Sequence, residues 1–260
     1  MYFSRFFGSW QIFDNMKIDN FDLIRSHLTF ESALDRYIVI ILKRVKDENG
    51  RKYGVNETNR LIKDFIISSI DYFNNKIPVI KDLCESNTAR AYILPQVRNN
   101  KECLIELMKI TLDNLENPTI KPHSILRQAY AGNHKSRDKK WIIDIDQDNL
   151  IEYPNNNNTN LIKTWTFDQV EDVIKKMLKD CGKTDNDYYV VPTVHGKHIV
   201  TSPFNLVKAQ EICPMLYQGV QNKMTKIVPT GPDEYEYKYK DINGWLIKDG
   251  MTLLYFNDGK

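Results

Sequence analysis

Residues 140–146 read Lys-Trp-Ile-Ile-Asp-Ile-Asp, an apolar run that ends on two carboxylates one residue apart. In an extended strand, side chains alternate between faces, so Asp144 and Asp146 project from one side while Ile143 and Ile145 project from the other. Two adjacent carboxylates repel each other unless a cation sits between them, and hard divalent ions such as Mg2+ or Mn2+ prefer oxygen ligands of this kind. Further along, Val-Pro-Thr-Val-His-Gly-Lys-His-Ile-Val-Thr (191–201) mounts a Gly-Lys-His step on a second strand-like run. Gly196 would let the backbone approach a phosphate, and Lys197 or His198 would supply positive charge. Lys197 and His198 face opposite sides of a strand, so only one of them can join the acidic face, and we take His198. The chemistry these groups suit is metal-assisted phosphoryl transfer, in which charge neutralisation and alignment do most of the work. The plainer alternative is a strand end with two solvated aspartates and a histidine inside a hairpin core.

Other residues could bind the partner of such a site. Between residues 121 and 140, six basic side chains (Lys121, Arg127, Lys135, Arg137, Lys139 and Lys140) stand against one acid, Asp138, and lead directly into the Asp144 strand. They could contact the phosphates of a nucleic acid, or simply form a solvated loop. Arg90, opening another strand, could meet a phosphate or a carboxylate. Tyr235, Tyr237 and Tyr239 would share one strand face, where rings either stack bases or pack on a helix.

The elements that must position these groups follow from periodicity and turn chemistry. Arg36–Arg44 is a continuous apolar run bounded by charge, as in a strand buried on both faces. A second strand is expected near 65–69, a helix over 77–86, a strand over 89–97 and a helix over 99–114 capped by Asn99 or Asn100. A short helix is expected over 124–130. In the second half, a strand over 141–146 precedes a polar loop. Thr166-Phe-Asp-Gln then opens a helix that stops at Gly182. Strands 188–193 and 197–201 form a hairpin through His195-Gly196. Pro203 opens a helix to Ile212, and short strands fill 223–256. The order of this second half indicates an α+β fold, a sheet with helices on one side. Two units are expected: residues 1–87, an N-terminal α/β module, and 88–260, which carries the chemistry.

Composition sets the outer limits. The chain has 260 residues, 42% of them apolar and 11% aromatic, enough for one large core or two small ones. Lys and Arg number 36 against 34 Asp and Glu, a formal charge of +2, so any nucleic-acid footprint must be local. The four cysteines are far apart and the five histidines show no metal-ligand spacing, which points to free thiols in a reducing compartment. No run reaches the ~18–20 apolar residues of a membrane span, and the first residues do not read as a leader. The expectation is a cytoplasmic protein with no membrane partner.

A strand ending Asp-x-Asp, a later strand carrying Gly-x-His, and a third Asp near a closing strand resemble the catalytic core of the archaeo-eukaryotic primase superfamily, the primase-polymerases. The run Val-Pro-Thr-Val-His-Gly-Lys-His-Ile-Val-Thr-Ser-Pro-Phe-Asn is also similar to primase-like proteins of bacteriophages. The resemblance spans roughly residues 88–256. It implies an RRM-like catalytic sheet, with Mg2+ or Mn2+ held by Asp144, Asp146 and a third acid, Asp249, with Asp258 as the fallback. It further implies that His198 contacts the phosphates of a nucleoside triphosphate. The activity implied is template-directed nucleotidyl transfer on single-stranded DNA during phage replication, in the cytoplasm of a bacterial host and alongside other phage replication proteins. Two alternatives stay open: a metal-dependent nuclease using the same carboxylates, and a catalytically inactive single-strand-binding protein with a primase-like fold.

Overall fold

Tyr37-Ile-Val-Ile-Ile41 is apolar at consecutive positions, so a strand built from it must be covered on both faces. That requirement organises the first half of the protein. The computed structural model describes residues 16–44, 59–116, 118, 122–131, 138–146, 151–152, 163–164, 166–213, 216–218, 227–229, 235–237, 245–248 and 250–257. Along the chain these form β1 (Lys17–Asp19), α1 (Phe21–Arg25), β2 (Asp35–Lys43), β3 (Arg60–Ile67), α2 (Ile70–Asn87), β4 (Arg90–Asn99), α3 (Asn100–Glu116) and α4 (Pro122–Ala131). The second half adds β5 (Trp141–Asp146), β6 (Ile151–Glu152), β7 (Lys163–Thr164), α5 (Phe167–Asp180), β8 (Tyr188–Pro192), β9 (Gly196–Thr201) and α6 (Leu206–Ile212). It closes with β10 (Leu216–Gln218), β11 (Ile227–Pro229), β12 (Tyr235–Tyr237), β13 (Trp245–Lys248) and β14 (Thr252–Asn257).

The first sheet has the order β1-β14-β4-β2-β3 and is antiparallel throughout. Tyr37, Val39 and Ile41 of β2, with Ala91, Ile93 and Val97 of β4, face Phe73, Ile80 and Cys84 of α2. Ile38, Ile40 and Leu94 face the other way, onto Cys103 of α3 and Ala129 and Tyr130 of α4. The fold is α+β as expected, and this first sheet carries helices on both faces. The unbroken apolar run of β2 is the reason. The β2–β4 and β1–β14 ladders cross the boundary drawn at 87/88, so residues on both sides of it share one sheet.

The second sheet has the order β10-β13-β5-β9-β8, and β5 pairs antiparallel with both β13 and β9. Its alternation is strict. Ile143, Ile145 and Ile199 meet Val170, Ile174, Met177 and Leu178 of α5 and Ala209 of α6. Ile142, Val191 and Val200 turn the other way and join the core of the first sheet. Between these apolar residues, that inner face also carries Asp144 and His198.

Local signals fix the helices that frame this sheet. Thr166 caps α5 in a capping box: its hydroxyl accepts the Gln169 N–H at 3.2 Å while the Gln169 side chain accepts the Thr166 N–H at 2.9 Å. The helix ends in a Schellman motif. The Lys183 N–H reaches the Leu178 carbonyl and the Gly182 N–H the Lys179 carbonyl, each at 2.9 Å, with Gly182 at φ +83°. Helix α6 begins later than Pro203 suggested, because the Asn205 side chain caps it by accepting the Lys208 N–H at 3.1 Å. Asn99, not Asn100, caps α3, accepting the N–H groups of Lys101 and Glu102. All four cysteines are free thiols. Among the described residues, no helix is long and apolar enough to cross a membrane.

Because the capping box satisfies two amides at once, Thr166→Ala should lower unfolding free energy by about 1 kcal/mol. Urea denaturation would show this as a lower midpoint with an unchanged slope.

Candidate active site

The site forms where β5 and β9 lie side by side. Their register sets Asp144 opposite His198 and Asp146 opposite Gly196, so all four positions share the inner face of the second sheet. Asp144 and His198 are each 7% exposed, while Asp146, at the strand end, is half-buried. Nε2 of His198 lies 3.1 Å from Oδ1 of Asp144. Its Nδ1 lies 3.0 Å from Oγ1 of Thr252, the fully buried first residue of β14 in the other sheet. Nε2 thus faces the Asp144 carboxylate at ion-pair distance while Nδ1 meets the Thr252 hydroxyl, so the imidazole lies between a contact on each sheet. The buried carboxylate has a polar ring beside it rather than only apolar neighbours, and a polar neighbour offsets part of the cost of removing a carboxylate from water.

Gly196 has a different reason from the one expected. A Cβ at this position would press on the carbonyl oxygen of Ile145 and approach the Asp146 Cα at 3.1 Å. The missing side chain allows close approach of β9 to β5 at the step that carries Asp146. Its neighbour in this structure is the backbone of β5.

Lys197 leaves the acidic face, as strand alternation requires. Its Nζ donates to Oε2 of Glu171 at 2.6 Å and to Oδ1 of Asp168 at 3.0 Å, both on the first turns of α5. Burial pushes Glu171 up, but hydrogen bonds from Lys175 and Lys197 more than offset it and hold the carboxyl below its ordinary range. Burial likewise pushes Lys197 down, while hydrogen bonds to Glu171 and Asp168 hold it above its ordinary value. Lys197 is corrected from a phosphate ligand to the anchor of α5 on β9.

Arg90 is also corrected. It is 4% exposed and covers the Phe256 ring at 4.7 Å, opposite Phe256 in the β4–β14 register. Thr252 pairs with Ile93 at the other end of that ladder, so Arg90 is neither on the surface nor beside the site. Of the basic residues before β5, Lys140 pairs with Asp138 at 3.1 Å and the Lys139 ammonium lies 5.9 Å from the centre of the Trp141 ring. Arg127 is half-buried in α4. Lys135, Arg137, Asp249 and Asp258 lie outside the described residues, as does Tyr239. His195 is exposed in the hairpin turn.

Thr252 was not among the residues expected to act, although a threonine shortly after Asp249 was visible in the chain. Burial pushes the thiol of Cys84 up to about 12, far from a thiolate at neutral pH, and pushes those of Cys103 and Cys181 up as well. Among the described residues, no group of three or more His, Cys, Asp or Glu is arranged to hold a metal ion. Comparison with family models, curated proteins and solved structures finds no match.

Two outcomes follow from this geometry. Gly196→Ala forces β9 from β5 and should destabilise the fold by about 1–3 kcal/mol, readable in chemical denaturation. For Lys197→Met, the depressed Glu171 contributes stability above its unfolded value and loses it as pH falls through the folded one. The raised Lys197 contributes below its unfolded value and loses it as pH rises through the folded one. The wild-type advantage should therefore be flat between about pH 5 and pH 10 and shrink on either side. A constant difference down to pH 3 in urea titrations would contradict the pairing.

Proposed function

We propose that this chain is a template-directed nucleotidyltransferase of the primase-polymerase kind, with β13-β5-β9-β8 as an RRM-like catalytic sheet. The observation that carries the reading is the placement of Asp144 and Asp146 on one face of β5, with His198 beside Asp144 on the next strand. The resemblance assigns these residue types, in this strand order, to nucleotide transfer. Oxygen donors from two neighbouring carboxylates fit a hard divalent cation, Mg2+ or Mn2+, and Asp144 and Asp146 would hold it. A third acid would come from outside the described residues. The ion, when bound, supplies charge neutralisation for the attacking and leaving oxygens.

The protein's own groups do the rest. Thr252 keeps Nδ1 of His198 engaged, which leaves Nε2 as the nitrogen able to turn from Asp144 to a triphosphate oxygen. The short distance between Asp144 and His198 would bring cation and phosphate contacts within one small site. Lys139 and Lys140 precede β5 and would steer a single-stranded DNA template toward Asp144, joined by Arg127, Lys135 and Arg137. Nucleoside triphosphates are the second substrate, and phage DNA replication in a bacterial host is the setting the resemblance indicates.

The test offers the protein a single-stranded template, labelled nucleotides and Mn2+, with and without a primer. Wild type should extend or start chains, and Asp144→Asn and Asp146→Asn should each lose about 100-fold or more of that activity while circular dichroism shows the fold kept. Incorporation at wild-type levels in both variants would overturn the reading.

A further inference from the structure

Asn20 belongs to the N-terminal segment, far from Asp144 in sequence, yet its side chain lies where the two sheets meet. It is 4% exposed. Its Nδ2 donates to the carbonyl of Pro192, at the end of β8, at 3.0 Å and to the carbonyl of Leu253, in β14, at 2.9 Å. Its own N–H donates to the Leu254 carbonyl at 3.0 Å, so the backbone is tied to the same strand. Asn20 is also the N-cap of α1, where an asparagine ordinarily accepts from the first free amides of the helix. Here the Asn20 side chain makes no cap bond to α1, and the Asp19 carboxylate accepts the Phe21 N–H instead, at 3.3 Å. The side chain has been diverted from its helix to the seam between the sheets.

A primary amide suits this place because one nitrogen carries two hydrogens that can fork to two carbonyls. A hydroxyl offers one, and an ionised carboxylate none. Leu253 directly follows Thr252, and Pro192 lies opposite Lys197 and beside the Val191–His198 pair in the β8–β9 register. Asn20 therefore grips the chain within one residue of Thr252 on one sheet and beside the strand pair that carries His198 on the other.

We propose that Asn20 is a positioning residue, a clamp that fixes the spacing of the two sheets so that Thr252 and Asp144 hold the His198 ring between them. Its consequence for catalysis rests on the nucleotidyl-transfer reading; its consequence for the ring does not. The clamp touches neither Asp144 nor Asp146, so its loss should leave cation binding alone. A displacement of about 1 Å at a reacting group can cost roughly 100-fold in rate.

The test compares full-length Asn20→Asp and Asn20→Ser with Ile80→Ala, which opens the same core from α2 without removing a hydrogen bond across the seam. The imidazole signals of His198 are followed by nitrogen NMR and assigned by their loss in His198→Gln. Both Asn20 variants should shift these signals, Asn20→Asp further, and lower kcat/KM for the nucleotide about 10- to 100-fold with Mn2+ affinity unchanged. Ile80→Ala should melt lower and leave the ring signals in place. Unchanged His198 signals in a folded Asn20 variant, or an equal shift in Ile80→Ala, would overturn the clamp. If Asn20→Asp fails to fold, Asn20→Ser, which keeps one donor, decides. Should wild type transfer no nucleotide, the functional reading falls, while the ring signals still decide the clamp.

Discussion

The arrangement turns on a buried carboxylate in an otherwise apolar seam. Asp144 sits on the face of the second sheet whose neighbours Ile142, Val191 and Val200 complete the core of the first. Burying an ionised carboxylate costs several kcal/mol unless polar partners replace the lost water. His198 supplies one such partner from the adjacent strand, and Thr252 fixes that partner from the opposite sheet. Each contact constrains backbone elsewhere. Gly196 lets β9 run close to β5, β14 must begin where Thr252 can reach the imidazole, and the inner edge of β8 must stay near β14. The polar residues are few, but the two sheets can pack only in the relation those residues permit.

Strand alternation separates two electrostatic tasks that a single short segment performs. On one side of β9, Lys197 engages Asp168 and Glu171 and fixes α5; on the other, His198 engages Asp144. The ammonium would otherwise be the strongest local competitor for the Asp144 carboxylate. The protein keeps a charged, structural ion pair and the Asp144–His198 contact on the same strand by placing the sheet between them.

Much of this was legible because it is local. Period-two alternation marked β5 and β9 and the shared face of Asp144 and Asp146, and the Thr166–Gln169 box and Gly182 marked the ends of α5. The opposed faces of Lys197 and His198 follow from alternation alone. The illegible parts are non-local. That β14 closes the first sheet between β1 and β4, bringing Thr252 to His198, depends on pairings across most of the chain. Nothing in the periodicity of residues 252–257 encodes those partners. The burial of Arg90 depends equally on Phe256, and the role of Gly196 on a carbonyl fifty-one residues away, at Ile145. The helices on both faces of the first sheet could have been drawn from β2 itself, whose apolar run has no solvent side.

The position of the site at a seam, rather than within one sheet, has a mechanical meaning. A site built on one rigid sheet keeps its geometry whatever its neighbours do. Here the imidazole has one nitrogen on each sheet's side, so a small shift between sheets changes its hydrogen bonds before either sheet's own ladders are disturbed. Packed interiors resist such shifts because each lost contact costs dispersion energy on both sides. The apolar residues around Asp144 therefore do more than exclude water: they hold the two halves of a polar contact at the distance at which it can form.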